Sequence, residues 1–187
     1  VVRAEPTGPY APEIWILGSS NYGAQVAAYF GLPYCFAYFF SDGAGAEQAL
    51  TVYRENFRPS ALYPAPHAAI TVWAFAAESQ ERADYHYQSR AIARLMRDRG
   101  QFIPLPSPED AATFEMSDFE RAQMARVKER ALSGTAPDVA ARLRALGGQM
   151  GVAEIAITTT AYDTEARRNS YTLLAREFAL KQTKHAA

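Results

Sequence analysis

Residues 14–25 read Ile14-Trp15-Ile16-Leu17-Gly18-Ser19-Ser20-Asn21-Tyr22-Gly23-Ala24-Gln25, and the fold turns on how this stretch is read. Four consecutive apolar side chains, Ile14 to Leu17, predict a strand covered on both faces, as in a parallel sheet. Gly18, Ser19 and Ser20 then place little bulk and two hydroxyls at the carboxyl end of that strand. A helix starting near Tyr22 offers unpaired backbone N–H groups at its N-terminus, where an anion can be held. Two readings of the turn stand side by side. In one, Gly18, Ser19, Ser20 and the helix-start N–H groups hold the phosphate of a cofactor. In the other, Ser20 simply caps the helix.

Working outward, strand and helix patterns alternate. The first strand is expected from Glu13 to Gly18 and the first helix from Tyr22 to Phe30, ended by Gly31 with Pro33 blocking its continuation. A second strand is expected from Tyr34 to Phe39 and, after a Ser41–Gly45 loop, a helix from Ala46 to Phe57. The third strand, Ala69 to Ala76, precedes a helix capped by Ser79 and running to Arg97, with Ala83, Tyr87, Ala91 and Leu95 on one face. Residues 98–117, rich in proline, are expected to form a mobile insertion, because a loop this long in a compact domain usually serves function. A helix over Asp118–Leu132 follows.

Thr135-Ala136-Pro137-Asp138 has the spacing of a capping box, and Val139, Leu143 and Leu146 give the next helix an apolar stripe, ended by Gly147-Gly148. The last strand, Glu154–Thr159, leads to a terminal helix from Asp163 or Thr164, and then to a solvated tail with Lys181, Lys184 and His185. Four βα units in order make a parallel α/β sheet, the third unit carrying the insertion. Periodicity does not separate an open doubly wound sheet from half of an eight-stranded barrel.

Composition narrows the function. The chain has 187 residues, 49% of them hydrophobic, enough for one domain with a sizeable core. A net charge of -1 and dispersed Lys and Arg argue against nucleic acid as a partner. No apolar run reaches membrane-spanning length, and the N-terminus lacks the pattern of a signal peptide. Cys35, the single cysteine, reads as a core thiol, in keeping with a reducing, cytoplasmic setting. The start at Val1-Val2 instead of Met reads as a processed, cleaved or incompletely represented polypeptide.

Among side chains that carry chemistry, His67 precedes the third strand on its amino side, His86 lies in the long helix as a packing or surface residue, and His185 is in the tail. Their spacing fits neither a zinc site nor a two-His-one-carboxylate iron site, so no metal is expected. Gly18-Ser19-Ser20 is not a nucleophile elbow, which disfavours a hydrolase. Glu109 and Asp110 read as solvated charges in the insertion. Tyr38 and Phe39 either line a ligand pocket or pack in the core.

Pro12-Glu13-Ile14-Trp15-Ile16-Leu17-Gly18-Ser19-Ser20, continuing into Ala27-Ala28-Tyr29-Phe30-Gly31-Leu32-Pro33-Tyr34-Cys35-Phe36-Ala37, closely resembles the middle of bacterial luciferase-like flavin monooxygenases. Tyr53-Arg54-Glu55-Asn56-Phe57-Arg58-Pro59-Ser60, Gly134-Thr135-Ala136-Pro137 and Ser170-Tyr171-Thr172-Leu173-Leu174-Ala175 fit later helices of that family. The resemblance covers nearly the whole chain and implies the second half of a (β/α)8 TIM barrel, residues 12–187, strands five to eight with the insertion after strand seven. It implies reduced FMN as cofactor, oxygen and a small organic molecule as substrates, and a flavin reductase as partner. It places Ser19 and Ser20 at the flavin phosphate, with Tyr22 and Gly23 supplying the following turn and helix-start N–H groups. True luciferase alpha chains carry a glutamate where Ser19 stands, so light emission is not implied. The histidine that acts in the family's oxygen chemistry belongs to the first half of the barrel, and no catalytic residue is assigned here. A half-barrel also implies a second barrel half, supplied by another chain, in a dimer or as a complementary partner, or belonging to a longer parent protein, the reading favoured by the start at Val1. The alternative is a non-catalytic flavin-binding protein or half-barrel assembly partner.

Overall fold

The computed structural model describes residues 12–180, and the expected tail at Lys181, Lys184 and His185 lies outside them. The elements run β1 (Ile16–Gly18), α1 (Asn21–Phe30), β2 (Tyr34–Phe36), α2 (Tyr38–Ser41), α3 (Ala46–Asn56), β3 (Ala68–Ala77), α4 (Gln80–Asp98), α5 (Pro108–Ala112), α6 (Asp118–Arg130), β4 (Leu132–Thr135), α7 (Ala136–Met150), β5 (Glu154–Thr158) and α8 (Thr164–Glu177). The sheet order is β1-β2-β3-β4, with β5 also paired to β3. The chain divides into two compact units, with the boundary between Ile70 and Thr71.

In the first unit β1 pairs in parallel with β2, Ile16 opposite Tyr34 and Gly18 opposite Phe36, and β2 pairs in parallel with Ala68–Ile70. β2 is buried at every position, and Ala24, Ala27 and Ala28 of α1 pack with Ala46, Ala49, Leu50 and Tyr53 of α3 in the core. Alanines at these positions let helix and strand backbones come close. Gly31 ends α1 as expected, in the left-handed conformation at φ 61°. β1 departs from expectation. It is three residues long, and Ile14 and Leu17 are more than half exposed, because β1 ends the sheet order and pairs only with β2 among the described residues. β2 is also shorter than expected. The chain turns after Phe36, and Tyr38–Ser41 coil into α2 because Gly43, at φ 85°, lets the Tyr38 ring fold back over it. Aromatic residues favour strands only where a pleated neighbour covers them.

In the second unit Ala74–Ala77 of β3 pair in parallel with Leu132–Thr135. β4 was not expected, since Leu-Ser-Gly-Thr lacks an apolar run. Ser79 caps α4 by accepting the Arg82 N–H at 3.2 Å, and Asp163 caps α8 through the Glu165 N–H at 2.8 Å. α7 runs through Gly147 and Gly148 and stops at Gly151, φ 62°. Gly147 is present for close approach instead: a Cβ there would lie 3.3 Å from the Val152 carbonyl oxygen and 3.4 Å from Ile155 Cδ1.

Within residues 98–117 the chain forms α5, capped by Ser107. Ile92, Met96 and Ala111 make a small core there, joined by Phe114 and Met116. Arg99 pairs with Glu120 at 2.6 Å, and Lys128 with Asp84 at 2.8 Å. Glu120 also closes a reciprocal capping box with Ser117 at the start of α6. Phe102 and Ile103, between Gly100 and the α5 cap, remain exposed.

Candidate functional site

The turn at the carboxyl end of β1 is built by close backbone approach. Gly18 and Gly23 face each other so tightly that a Cβ on either would lie 3.4 Å from the Cα of the other. This brings the first turn of α1 against the strand end, leaving Ser19, Ser20 and Tyr22 exposed on the outside. Ser20 occupies the N-cap position, yet its side chain makes no capping bond. Of the two readings of this residue, the helix cap is therefore the one the structure removes.

The N-terminus of α1 is also electrostatically bare. Every described helix longer than four residues has an acidic residue in its first turn except α1, which has none. Elsewhere Asp and Glu offset the positive end of the helix dipole; here that end is free for an external anion. The chemistry of the donor set fits a phosphate: two exposed hydroxyls, helix-start N–H groups and no carboxylate in the first turn.

The other expected residues are placed as follows. Tyr38 lies over Gly43, while the Phe39 and Phe40 rings are tilted against each other at 58°, with centres 5.5 Å apart. Phe40 is the aromatic that α2 offers to solvent, at 72% exposed. His67 sits at the amino end of β3, as expected, with its ring 4.8 Å from that of Trp15. His86 is buried in α4 against Phe75 and Tyr85. Burial, and then Arg82 nearby, push its pKa below the ordinary histidine value. Glu109 lies in α5, where it accepts the Tyr85 hydroxyl, and Asp110 accepts from Ser107 at 2.8 Å. Cys35 is a buried core thiol in β2. No group of His, Cys, Asp and Glu suited to a metal occurs among the described residues, and no described helix is long and apolar enough to cross a membrane.

Sequence reasoning treated Tyr34 as strand filler and missed its contacts with this turn. Its hydroxyl lies 3.2 Å from the Gly18 carbonyl oxygen and 3.3 Å from that of Ser20. The signal was present in principle, since a tyrosine in a wholly apolar strand needs a partner for its hydroxyl.

The parallel α/β sheet with flanking helices agrees with the comparisons. The model for the family described as luciferase-like monooxygenase matches residues 1–154, and the chain belongs to that family. The Bacillus subtilis (strain 168) protein YwcH is 34% identical over 181 residues, covering 95% of this chain and 54% of its own length. The chain thus spans about half the length of the curated relatives it matches. The crystal structure of apo-MsnO8 superposes with a TM-score of 0.80 at 26% identity, over 95% of this chain and 54% of that one. The oxygenating constituent of 3,6-diketocamphane monooxygenase from Pseudomonas putida, solved in complex with FMN, shares the fold with a TM-score of 0.58 at 18% identity, over 89% of this chain and 48% of that one.

Proposed function

We propose that this chain is the flavin-phosphate-binding half of a monooxygenase that uses reduced FMN and oxygen on a small organic substrate. The observation that carries the reading is the uncapped, acid-free N-terminus of α1, flanked by the exposed hydroxyls of Ser19 and Ser20. Membership of the luciferase-like monooxygenase family and the FMN complex of the camphane enzyme support FMN as the phosphate-bearing group. Reduced FMN, when bound, supplies the electrons that let one atom of oxygen enter an organic substrate.

The chain's own residues bind and orient. Ser19 and Ser20 donate their hydroxyl protons to phosphate oxygens, and the N–H groups from Asn21 to Gly23 complete the cradle. Gly18 and Gly23 keep the backbone close enough for these donors to converge. A flavin reductase delivers the reduced cofactor, and a second barrel half completes the pocket. Residues 98–117 are the segment we assign to closing over bound substrate, and hydrogen exchange with and without flavin tests that assignment.

The deciding experiment is an anaerobic titration of the full-length polypeptide with reduced FMN and reduced riboflavin, which differ only by the phosphate. FMN is expected to bind at least about tenfold tighter, from charge-assisted bonds to the hydroxyls and amides. Replacing Ser19 and Ser20 together by Ala should weaken FMN alone. Equal affinities in the wild type would refute the site. Substrate-dependent oxygen uptake with a reductase then separates a monooxygenase from a protein that only binds flavin.

A further inference from the structure

Tyr34 is fully buried in β2, and its hydroxyl reaches back fourteen to sixteen residues to the turn. One proton is shared between two carbonyl oxygens, Gly18 O at 3.2 Å and Ser20 O at 3.3 Å. The Tyr34 ring edge supports the same turn from below. A Cβ at Gly18 would lie 3.7 Å from Tyr34 Cε2, and one at Gly23 would lie 3.6 Å from it. The Gly18 oxygen also accepts the Ala37 N–H at 2.9 Å, so its direction is fixed from two sides.

Peptide planarity gives these contacts their consequence. In a trans peptide unit the C=O and the following N–H point in opposite directions. The Gly18 and Ser20 oxygens are drawn inward to the phenol. The other ends of those two peptide units are the N–H groups of Ser19 and Asn21, which therefore point outward, away from the core. We infer that Tyr34 is the positioning residue of the phosphate turn, holding the Ser19 and Asn21 amides among the backbone donors that a phosphate meets. The inference rests on the phosphate reading above. Burial pushes the Tyr34 hydroxyl up to about 12, so it remains a donor across the working pH range.

Tyr34→Phe keeps the ring and removes only the hydroxyl. Reduced FMN and reduced riboflavin are titrated anaerobically against the full-length wild type and this variant. The expected result is an FMN affinity about tenfold weaker with riboflavin binding unchanged, so that the preference for FMN collapses. A folded variant that keeps the wild-type preference, or that loses both ligands equally, overturns the positioning role. A wild type without any preference for FMN overturns the phosphate reading, and this inference with it. Should Tyr34→Phe not fold, amide ¹⁵N shifts of the wild type on addition of inorganic phosphate decide. Large shifts at Ser19 and Asn21 are expected, and their absence there overturns the assignment.

Discussion

Gly31→Ala tests the packing that places α1. Gly31 holds φ 61° and closes the helix, with its N–H on the Ala28 oxygen at 3.2 Å and the Leu32 N–H on the Ala27 oxygen at 3.0 Å. The segment after α3 is fastened to the same point. The Arg58 N–H donates to the Ala28 oxygen at 3.0 Å, and the Ser60 hydroxyl donates to the Gly31 oxygen at 3.1 Å. A Cβ at Gly31 would overlap the Arg58 carbonyl oxygen and touch the Ser60 Cβ at 3.0 Å. Left-handed backbone costs an L-residue about 1–2 kcal/mol. Displacing the backbone at Arg58 strains both hydrogen bonds, adding about 1–2 kcal/mol more. Gly45 supplies the control: at φ 80° it has nothing within 4 Å of its notional Cβ, so Gly45→Ala meets only the conformational cost. For a chain of this size each kcal/mol moves Tm by about 2–4 °C. Thermal unfolding followed by circular dichroism should show Gly31→Ala losing roughly twice as much as Gly45→Ala, or more. Equal losses would refute the clash as the reason for glycine at position 31.

Three further outcomes are expected. Ser20→Ala should change stability by no more than a few tenths of a kcal/mol, because no cap is lost, whereas Ser79→Ala, which breaks the cap of α4, should cost about 1 kcal/mol in denaturant titrations. Ser170 is fully buried, and its hydroxyl oxygen accepts the Ala76 N–H at 2.9 Å. Ser170→Ala should therefore cost about 1–3 kcal/mol and speed exchange of the Ala76 amide. Glu120 is held down to about 2, first by the Ser117 backbone N–H and then by Arg99. A depressed carboxylate adds stability above its ordinary value of 4.5, and that stability is lost as pH falls toward 2. Glu120→Gln should thus flatten the fall of Tm over this acid range, and an unchanged slope would sink the assignment.

Features set by one residue and its chain neighbours were legible in the sequence. Gly31 ends α1, Ser79 caps α4 and Asp163 caps α8 because each acts on backbone within three or four residues. Reading failed where distant chain decides. Tyr38 has the profile of a strand residue but coils back onto Gly43, and Gly147 looks like a stop but is a close-approach site against Val152 and Ile155. β4 is too short and too polar to announce itself without its partner in β3. The same divide runs through the candidate site. Ser19, Ser20 and Gly23 stand together in the sequence and could be picked out as a turn, and the Ile14–Leu17 run pointed to the strand before it. Tyr34 belongs to the site only through β1–β2 pairing, which opposes it to Ile16 and sets its ring beneath the glycines.

The outer edge of β1 bears on how the protein behaves outside its working state. Its N–H and C=O groups face away from β2, and the neighbouring Leu17 and Ile14 side chains are 59% and 55% exposed. Such an edge is a template for any extended apolar segment that passes, including the same strand of another molecule. Three residues give only a short template, which slows runaway stacking without preventing first encounters. Where nothing further covers β1, aggregation in concentrated or refolding samples is expected to involve this edge, and a charged side chain at position 17 should reduce it, as light scattering during refolding would show.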